Sequence, residues 1–315
     1  MACQERREHR VYLEMLKEQA DIVIFLLKKI TGLISIKRGK LNMNFQLSNE
    51  LKDRICKEAR LTGLKEDVFV ENILRQYFSR DSEPNSVYIS TPLNALVEGL
   101  YQENLTIGDL KKHGDFGLGT FNELDGEMVM LDGVVYQLKS DGKVYEVKDD
   151  VKTPFSCVTF FMPHTKEVIN ERMDYSRFNE FIASLIPSPN IFYAISLHGE
   201  FEHIKTRSVP KQKNYIPLVH VAEHQTIFEY KNIKGVINGF YTPPFMESIH
   251  VAGFHLHFID DKRTCGGHLL ECTIKEVSLS LQFIQKMELG LPITMDYLTT
   301  DLTRNTKDDV EKIEK

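Results

Sequence analysis

The sequence predicts an α+β fold dominated by antiparallel or mixed sheet, and three observations carry that prediction. Across positions 85–315, short runs of alternating apolar and polar residues recur at Met128–Leu131, Val134–Leu138, Val144–Val147, Val158–Phe161, Ile191–Leu197 and His250–Ile259. Between the early runs stand Asp125-Gly126, Asp132-Gly133 and Asp141-Gly142, pairs that supply the positive φ a tight hairpin turn demands. Helical spacing intrudes around Leu93–Leu100 and Arg177–Leu185, and no repeat of fixed period or low-complexity tract is present.

The chain before this unit has a different grammar. In positions 1–42, Val11, Leu13, Leu16, Ala20, Val23, Ile24 and Leu27 recur at helical spacing, which predicts an amphipathic extension up to about Lys29. Lys37-Arg38-Gly39 can be encoded by a purine-rich stretch of the ribosome-binding kind a few codons before Met43. A second reading of 1–42 is therefore a region not natively translated, with synthesis starting at Met43.

In positions 43–80, Met43, Phe45 and Leu47 alternate with Asn44, Gln46 and Ser48, the pattern of a half-buried strand. Ser48 or Asn49 can cap a helix over Glu50–Leu61 that stops at Thr62-Gly63. A second helix begins near Asp67, with Val68, Phe69, Ile73, Leu74, Tyr77 and Phe78 as its apolar face. So short a strand-helix-helix unit cannot bury a core alone and calls for a second copy. It resembles the ribbon-helix-helix fold of antitoxin-type proteins, in which paired strands of a dimer enter the major groove. The outward residues here are Asn44, Gln46 and Asn42, with no arginine or lysine among them. Positions 40–81 hold eight basic and seven acidic residues, so dimerisation is favoured over DNA binding through residues 43–80. Asp81-Ser82-Glu83-Pro84-Asn85-Ser86 reads as a linker, which closes the segment at 84 and leaves 85–315 as the catalytic unit.

Composition narrows the function classes. The 315 residues carry 39 basic and 45 acidic side chains, a net of −6, which argues against a chain built to coat nucleic acid. Cys3, Cys56, Cys157, Cys265 and Cys272 are odd in number and contain no CxxC pair, so a reducing cytoplasm is expected rather than a disulfide framework. No apolar run approaches the ~18 residues of a membrane span. The nearest, Ile22–Ile36, is broken by Lys28, Lys29, Thr31 and Gly32. Neither GxGxxG nor GxxxxGK occurs to cradle a nucleotide.

The residues that point to chemistry lie near position 260. In Gly253-Phe254-His255-Leu256-His257-Phe258-Ile259 the two imidazoles share one face of a strand, because side chains alternate. Asp260-Asp261-Lys262 and Cys265-Gly266-Gly267 suit a hairpin that returns the chain and sets His268 across from them. Three histidines on neighbouring strands, with open positions between them, are the arrangement of a catalytic zinc or a similar divalent ion. Cys265 is a sulfur-bearing alternative, ranked below His268 because of its place in the turn. A cupin site wants a glutamate soon after the second histidine, where Asp260, Asp261 and Lys262 stand instead.

Four stretches then carry a specific resemblance, in order along the chain. Gly117-Leu118-Gly119-Thr120-Phe121-Asn122-Glu123-Leu124-Asp125-Gly126-Glu127 resembles the opening motif of acetolactate decarboxylases. So do Lys205-Thr206-Arg207-Ser208-Val209-Pro210, Gly235-Val236-Ile237-Asn238-Gly239-Phe240, and the histidine strand with Gly266-Gly267-His268. The resemblance covers about residues 90–315. It implies a cytoplasmic zinc-dependent lyase, usually a homodimer, that converts 2-acetolactate to acetoin and carbon dioxide in acetoin and butanediol formation. It also implies two sheets with the metal site between them. Carried over by motif, the Zn2+ ligands are His255, His257 and His268. Glu127, Arg207 and Thr120 are site residues, and a tail glutamate, Glu314 with Glu311 as its alternative, returns to the site. A reading of another class keeps the N-terminal segment as a DNA-binding regulator whose C-terminal domain senses acetolactate without turnover. The full set His255, His257, His268, Glu127 and Arg207 favours the enzyme.

Overall fold

The computed structural model describes residues 35–37, 40–42, 48–62, 65–67, 70, 85–186, 188–213 and 216–313. The chain divides into two compact units, Met1–Arg80 and Asp81–Lys315.

In the first unit, β1 (Ser35–Lys37) and β2 (Lys40–Asn42) pair antiparallel, with Ser35 opposite Asn42. The helical periodicity of 1–42 gives no hint of this pair. Helix α1 (Asn49–Thr62) forms where the capping and stop signals place it, and Ser48 Oγ accepts the N–H of Leu51 at 3.3 Å. Leu51, Ile55 and Ala59, one helical turn apart, are its buried stripe. The periodic stretch Val11–Leu27, the strand expected over Met43–Leu47 and most of the second helix lie outside the described residues.

The second unit begins with β3 (Ser86–Ile89), α2 (Leu93–Val97) and α3 (Ile107–Leu110). A meander comes next: β4 (Phe116–Thr120), β5 (Glu127–Leu131), β6 (Val134–Leu138) and β7 (Val144–Glu146), after which β8 (Ser156–Thr159) returns to pair with β4 and β3. Of the three Asp-Gly signals one makes the tight turn expected of it; Asp125-Gly126 ends a longer β4–β5 connection and Asp141-Gly142 lies in the β6–β7 loop, with only the glycine at positive φ in each. Asp132 and Gly133 both take positive φ, 50° and 76°, as a two-residue hairpin loop of the primed kind requires.

The chain then forms β9 (Thr165–Ile169), β10 (Met173–Asp174) and α4 (Tyr175–Leu185), whose N-cap Asp174 accepts the N–H of Arg177. Three long strands dominate the rest of the unit: β11 (Phe192–Ser208), β12 (Thr226–Thr242) and β14 (Gly266–Ile284), with α5 (Leu218–Ala222) and β13 (Gly253–Asp260) between them. The strand expected from His250 therefore starts three residues later. β15 (Lys286–Leu289), α6 (Met295–Thr299) and α7 (Lys307–Ile313) complete the unit.

These strands make two sheets. One is seven-stranded, in the order β15-β3-β8-β4-β5-β6-β7. The other is six-stranded, in the order β10-β14-β11-β12-β13, with β9 also on β14. β13 pairs back onto the start of β14, so this sheet curls closed near His257 and His268.

Burial explains why the sheets stack. Val87, Leu118 and Cys157 of the first sheet share a core with Phe192, Ala194 and Phe240 of the second. The Phe116 and Phe240 rings meet edge to face, centroids 6.0 Å apart. Each fully buried side chain of this size contributes about 1.5–3 kcal/mol relative to exposure. The far side of the six-stranded sheet is covered by Phe178 and Ile182 of α4, and Ile107 and Leu110 of α3 pack with Met128 and Met130. The last helix is fastened by Arg304, which reaches Glu98 at 2.6 Å and Asp309 at 2.7 Å. Among the described residues, no helix is long and apolar enough to cross a membrane.

Candidate active site

The hairpin of β13 and β14 brings three imidazoles together. His257 stands directly opposite His268 in the antiparallel register, and His255 shares the face of His257. The ring centroids form a near-equilateral triangle, 5.2 Å from His255 to His257, 5.1 Å from His255 to His268 and 5.3 Å from His257 to His268. One nitrogen from each lies within 4.8 Å of the others, so the three form a group able to hold a metal ion. All three are buried.

Local chemistry builds this hairpin. The carboxylate of Asp260, itself buried, accepts the backbone N–H of Thr264 at 2.6 Å, of Cys265 at 2.9 Å and of Lys262 at 3.2 Å. That satisfies the donors of the turn and sets the return strand. The two glycines belong to the return strand rather than to the turn itself. A Cβ on Gly266 would lie 2.2 Å from the carbonyl oxygen of Phe258, so only glycine allows the approach.

Two further effects prepare the imidazoles. His257 Nδ1 donates to the carbonyl of Met128 at 2.8 Å, which fixes the tautomer whose Nε2 carries the lone pair. Burial, and then the positive charge of Arg207, holds His268 well below the ordinary histidine range. It is therefore neutral, the form that ligates metals.

The seven-stranded sheet supplies the acid. Glu127 opens β5, with one oxygen 3.7 Å from His257 Nε2 and the other 3.4 Å from Arg207 Nη1. Arg207 comes from β11, opposite His268 in register. Thr120 Oγ1 donates to the carbonyl of Gly126 at 2.8 Å, holding the turn that delivers Glu127. These residues line one cavity between the sheets, walled elsewhere by apolar side chains including Leu93, Phe155, Leu218, Val251 and Ile313.

The structure thus brings together Thr120, Glu127, Arg207, His255, His257 and His268. Glu314 lies outside the described residues, and Glu311 is exposed on α7, which reaches the cavity through Ile313. The Cys265 thiol is pushed up to about 11, chiefly by burial and then by Asp260, and it is not one of the histidine group.

Sequence reasoning missed His250, which is fully buried with its ring 5.1 Å from His255 and Nδ1 2.8 Å from Thr242 Oγ1. It opens the alternating run read over His250–Ile259 but precedes β13 in the structure, and its spacing from His255 gave no reason to group it with the other histidines. The apolar walls, drawn from several helices and loops, had no local signal either.

A buried group of three histidines able to hold a metal, with a carboxylate–guanidinium pair beside it, is the kind of site an α+β metalloenzyme carries. The family model for alpha-acetolactate decarboxylase matches residues 87–304. The alpha-acetolactate decarboxylase of Methylococcus capsulatus is 41% identical over 233 residues, 74% of this chain and 90% of that protein. The crystal structure of alpha-acetolactate decarboxylase from Bacillus subtilis superposes with a TM-score of 0.71 at 37% identity, covering 73% of this chain and 99% of that one. A Staphylococcus aureus protein described as similar to alpha-acetolactate decarboxylase gives 0.69 at 30% identity, covering 72% and 98%. The chain belongs to the alpha-acetolactate decarboxylase family, and it is an enzyme of the carboxy-lyase class.

Proposed function

We propose that this chain converts 2-acetolactate to acetoin and carbon dioxide, with a zinc ion held by His255, His257 and His268. The observation that carries the reading is the convergence of that triad with Glu127 and Arg207 on one buried cavity, in a chain of this family. The donor set fits zinc. Three imidazoles, one fixed in its tautomer by Met128, leave further coordination positions for substrate oxygens. When bound, the ion supplies Lewis acidity to the adjacent hydroxyl and ketone oxygens of the substrate.

The remaining work belongs to the chain. Arg207 pairs with the substrate carboxylate and faces the negative charge that grows as carbon dioxide departs. The electron pair left behind moves into the neighbouring carbonyl, and a proton then returns to carbon from one face. Glu127, 3.4 Å from Arg207, is the residue assigned to move that proton, with Glu314 or Glu311 as the tail's contribution. Thr120 steadies Glu127 through the Gly126 carbonyl. Leu93, Phe155, Leu218 and Val251 keep water from the reacting carbon.

The enzyme is assigned to the cytoplasm, in keeping with the free thiols of Cys56, Cys157, Cys265 and Cys272, and to a homodimer by resemblance. The regulator reading has no comparable observation behind it, since the strand that would meet DNA lies outside the described residues. The test is acetoin formation from racemic 2-acetolactate by metal-loaded and chelator-treated protein. Activity lost on chelation and restored by zinc supports the reading, and absence of acetoin at every metal loading refutes it.

A further inference from the structure

Each sheet carries half of the site, so turnover depends on how one sheet sits over the other. Apolar packing is non-directional and does not by itself fix that placement to a fraction of an ångström. Hydrogen bonds do, and among the described residues three from side chain to backbone cross the gap, besides the Arg207–Glu127 contact within the cavity. His257 Nδ1 donates to the Met128 carbonyl at 2.8 Å, Asn238 Nδ2 to the Gly117 carbonyl at 2.7 Å, and Ser208 Oγ to the Leu138 carbonyl at 2.9 Å. Every donor is a side chain of the six-stranded sheet. The acceptors are backbone carbonyls on β4, β5 and β6, three adjacent strands of the other sheet.

The placement of these bonds tracks the chemistry. Ser208 comes directly after Arg207, and its acceptor Leu138 is the cross-strand partner of Glu127. Asn238 is the cross-strand partner of His257, and its acceptor lies on the strand of Thr120. Ser208 and Asn238 are both fully buried, and neither lines the cavity. We infer that Ser208 and Asn238 are positioning residues, which hold the Arg207-and-histidine sheet over the Glu127 sheet at the separation that decarboxylation needs. This rests on the roles proposed for Glu127 and Arg207. Without the Ser208 bond the sheets stay packed, but the distance from Glu127 to Arg207 loses its nearest fixed point, and small misplacements of reacting groups are costly in rate.

The test compares the metal-loaded wild type with Ser208→Ala, Ser208→Thr and Asn238→Ala, reading metal content, kcat and KM for 2-acetolactate separately. Ser208→Ala and Asn238→Ala are expected to bind one equivalent of zinc and keep KM within about twofold, while kcat falls on the order of tenfold or more. Ser208→Thr keeps the donor and is expected to regain most of kcat. Unchanged kcat in Ser208→Ala, activity lost in proportion to metal, or a threonine variant as slow as the alanine one overturns the inference while leaving the function intact. A wild type that releases no carbon dioxide at any metal loading overturns both.

Discussion

Glu127 and Arg207 meet in the interior from opposite sheets, Oε1 to Nη1 at 3.4 Å, with side chains 9% and 5% exposed. A carboxylate and a guanidinium buried so completely compensate each other, and neither charge can be removed without leaving the other in a low-dielectric cavity. The pair also touches the histidine triad through the second carboxylate oxygen, 3.7 Å from His257 Nε2.

Glu127→Gln preserves shape and removes both the charge and the transferable proton. It is expected to retain the fold and the metal while losing at least ~10²-fold in kcat, the scale of a positioned acid or base. Turnover measured beside metal content decides the matter, and near-normal turnover reduces Glu127 to a structural partner of Arg207.

His257→Ala and His268→Ala each leave two imidazoles, which make a weak site. Both variants are expected to lose bound zinc and activity together. In the wild type, zinc at a hundredfold excess over its Kd is expected to raise stability by about 2.7 kcal/mol, and both variants lose that increment. Elemental analysis with thermal melts reads both quantities, and stoichiometric zinc in either variant removes that residue from the ligand set.

Asp260 organises the turn between His257 and His268 of the proposed metal site by accepting from Lys262, Thr264 and Cys265. Asp260→Ala leaves those backbone donors without their carboxylate, at a cost of about 2 kcal/mol or more. Urea unfolding is expected to show that loss, together with weaker zinc affinity, because the register of His257 against His268 depends on the turn. Wild-type zinc affinity in this variant would show that strand pairing alone sets the ligands.

A chain beginning at Asp81 retains both sheets and the whole described cavity. It is expected to fold and to match the kcat of the full chain within about twofold, since a compact unit with its own core folds alone. Circular dichroism and the acetoin assay test this, and an insoluble or inactive product would assign the first 80 residues a structural role.

The histidine group was legible in the sequence because its signals are local, whereas Glu127, Arg207 and Thr120 were reached only through the family resemblance. Alternation places His255 and His257 on one face, the acidic turn predicts the return of His268, and Asp132-Gly133 predicts a hairpin that forms with both residues at positive φ. What escaped was tertiary. The outer halves of β11, β12 and β14 alternate poorly, because their side chains pair across strands: Glu200 accepts from Lys234 and Lys275, and Lys205 meets Glu271. Their polarity is spent on neighbours that a linear reading cannot see. The tail is an acidic-basic run whose composition alone favours disorder, yet α7 forms, with Arg304 tying Asp309 to Glu98 and Ile313 buried.

The triad is contained within positions 255–268, on one hairpin with a locally closed turn, whereas Glu127 and Arg207 are 80 residues apart in the chain. Short-range hairpin contacts close in microseconds, while docking one long-strand sheet onto another is slow, because the loop entropy is lost before the contacts form. The two halves of the active site therefore mature on different clocks during folding. The histidine hairpin, the group able to hold a metal, is expected to form first, and the complete site only once the sheets have met.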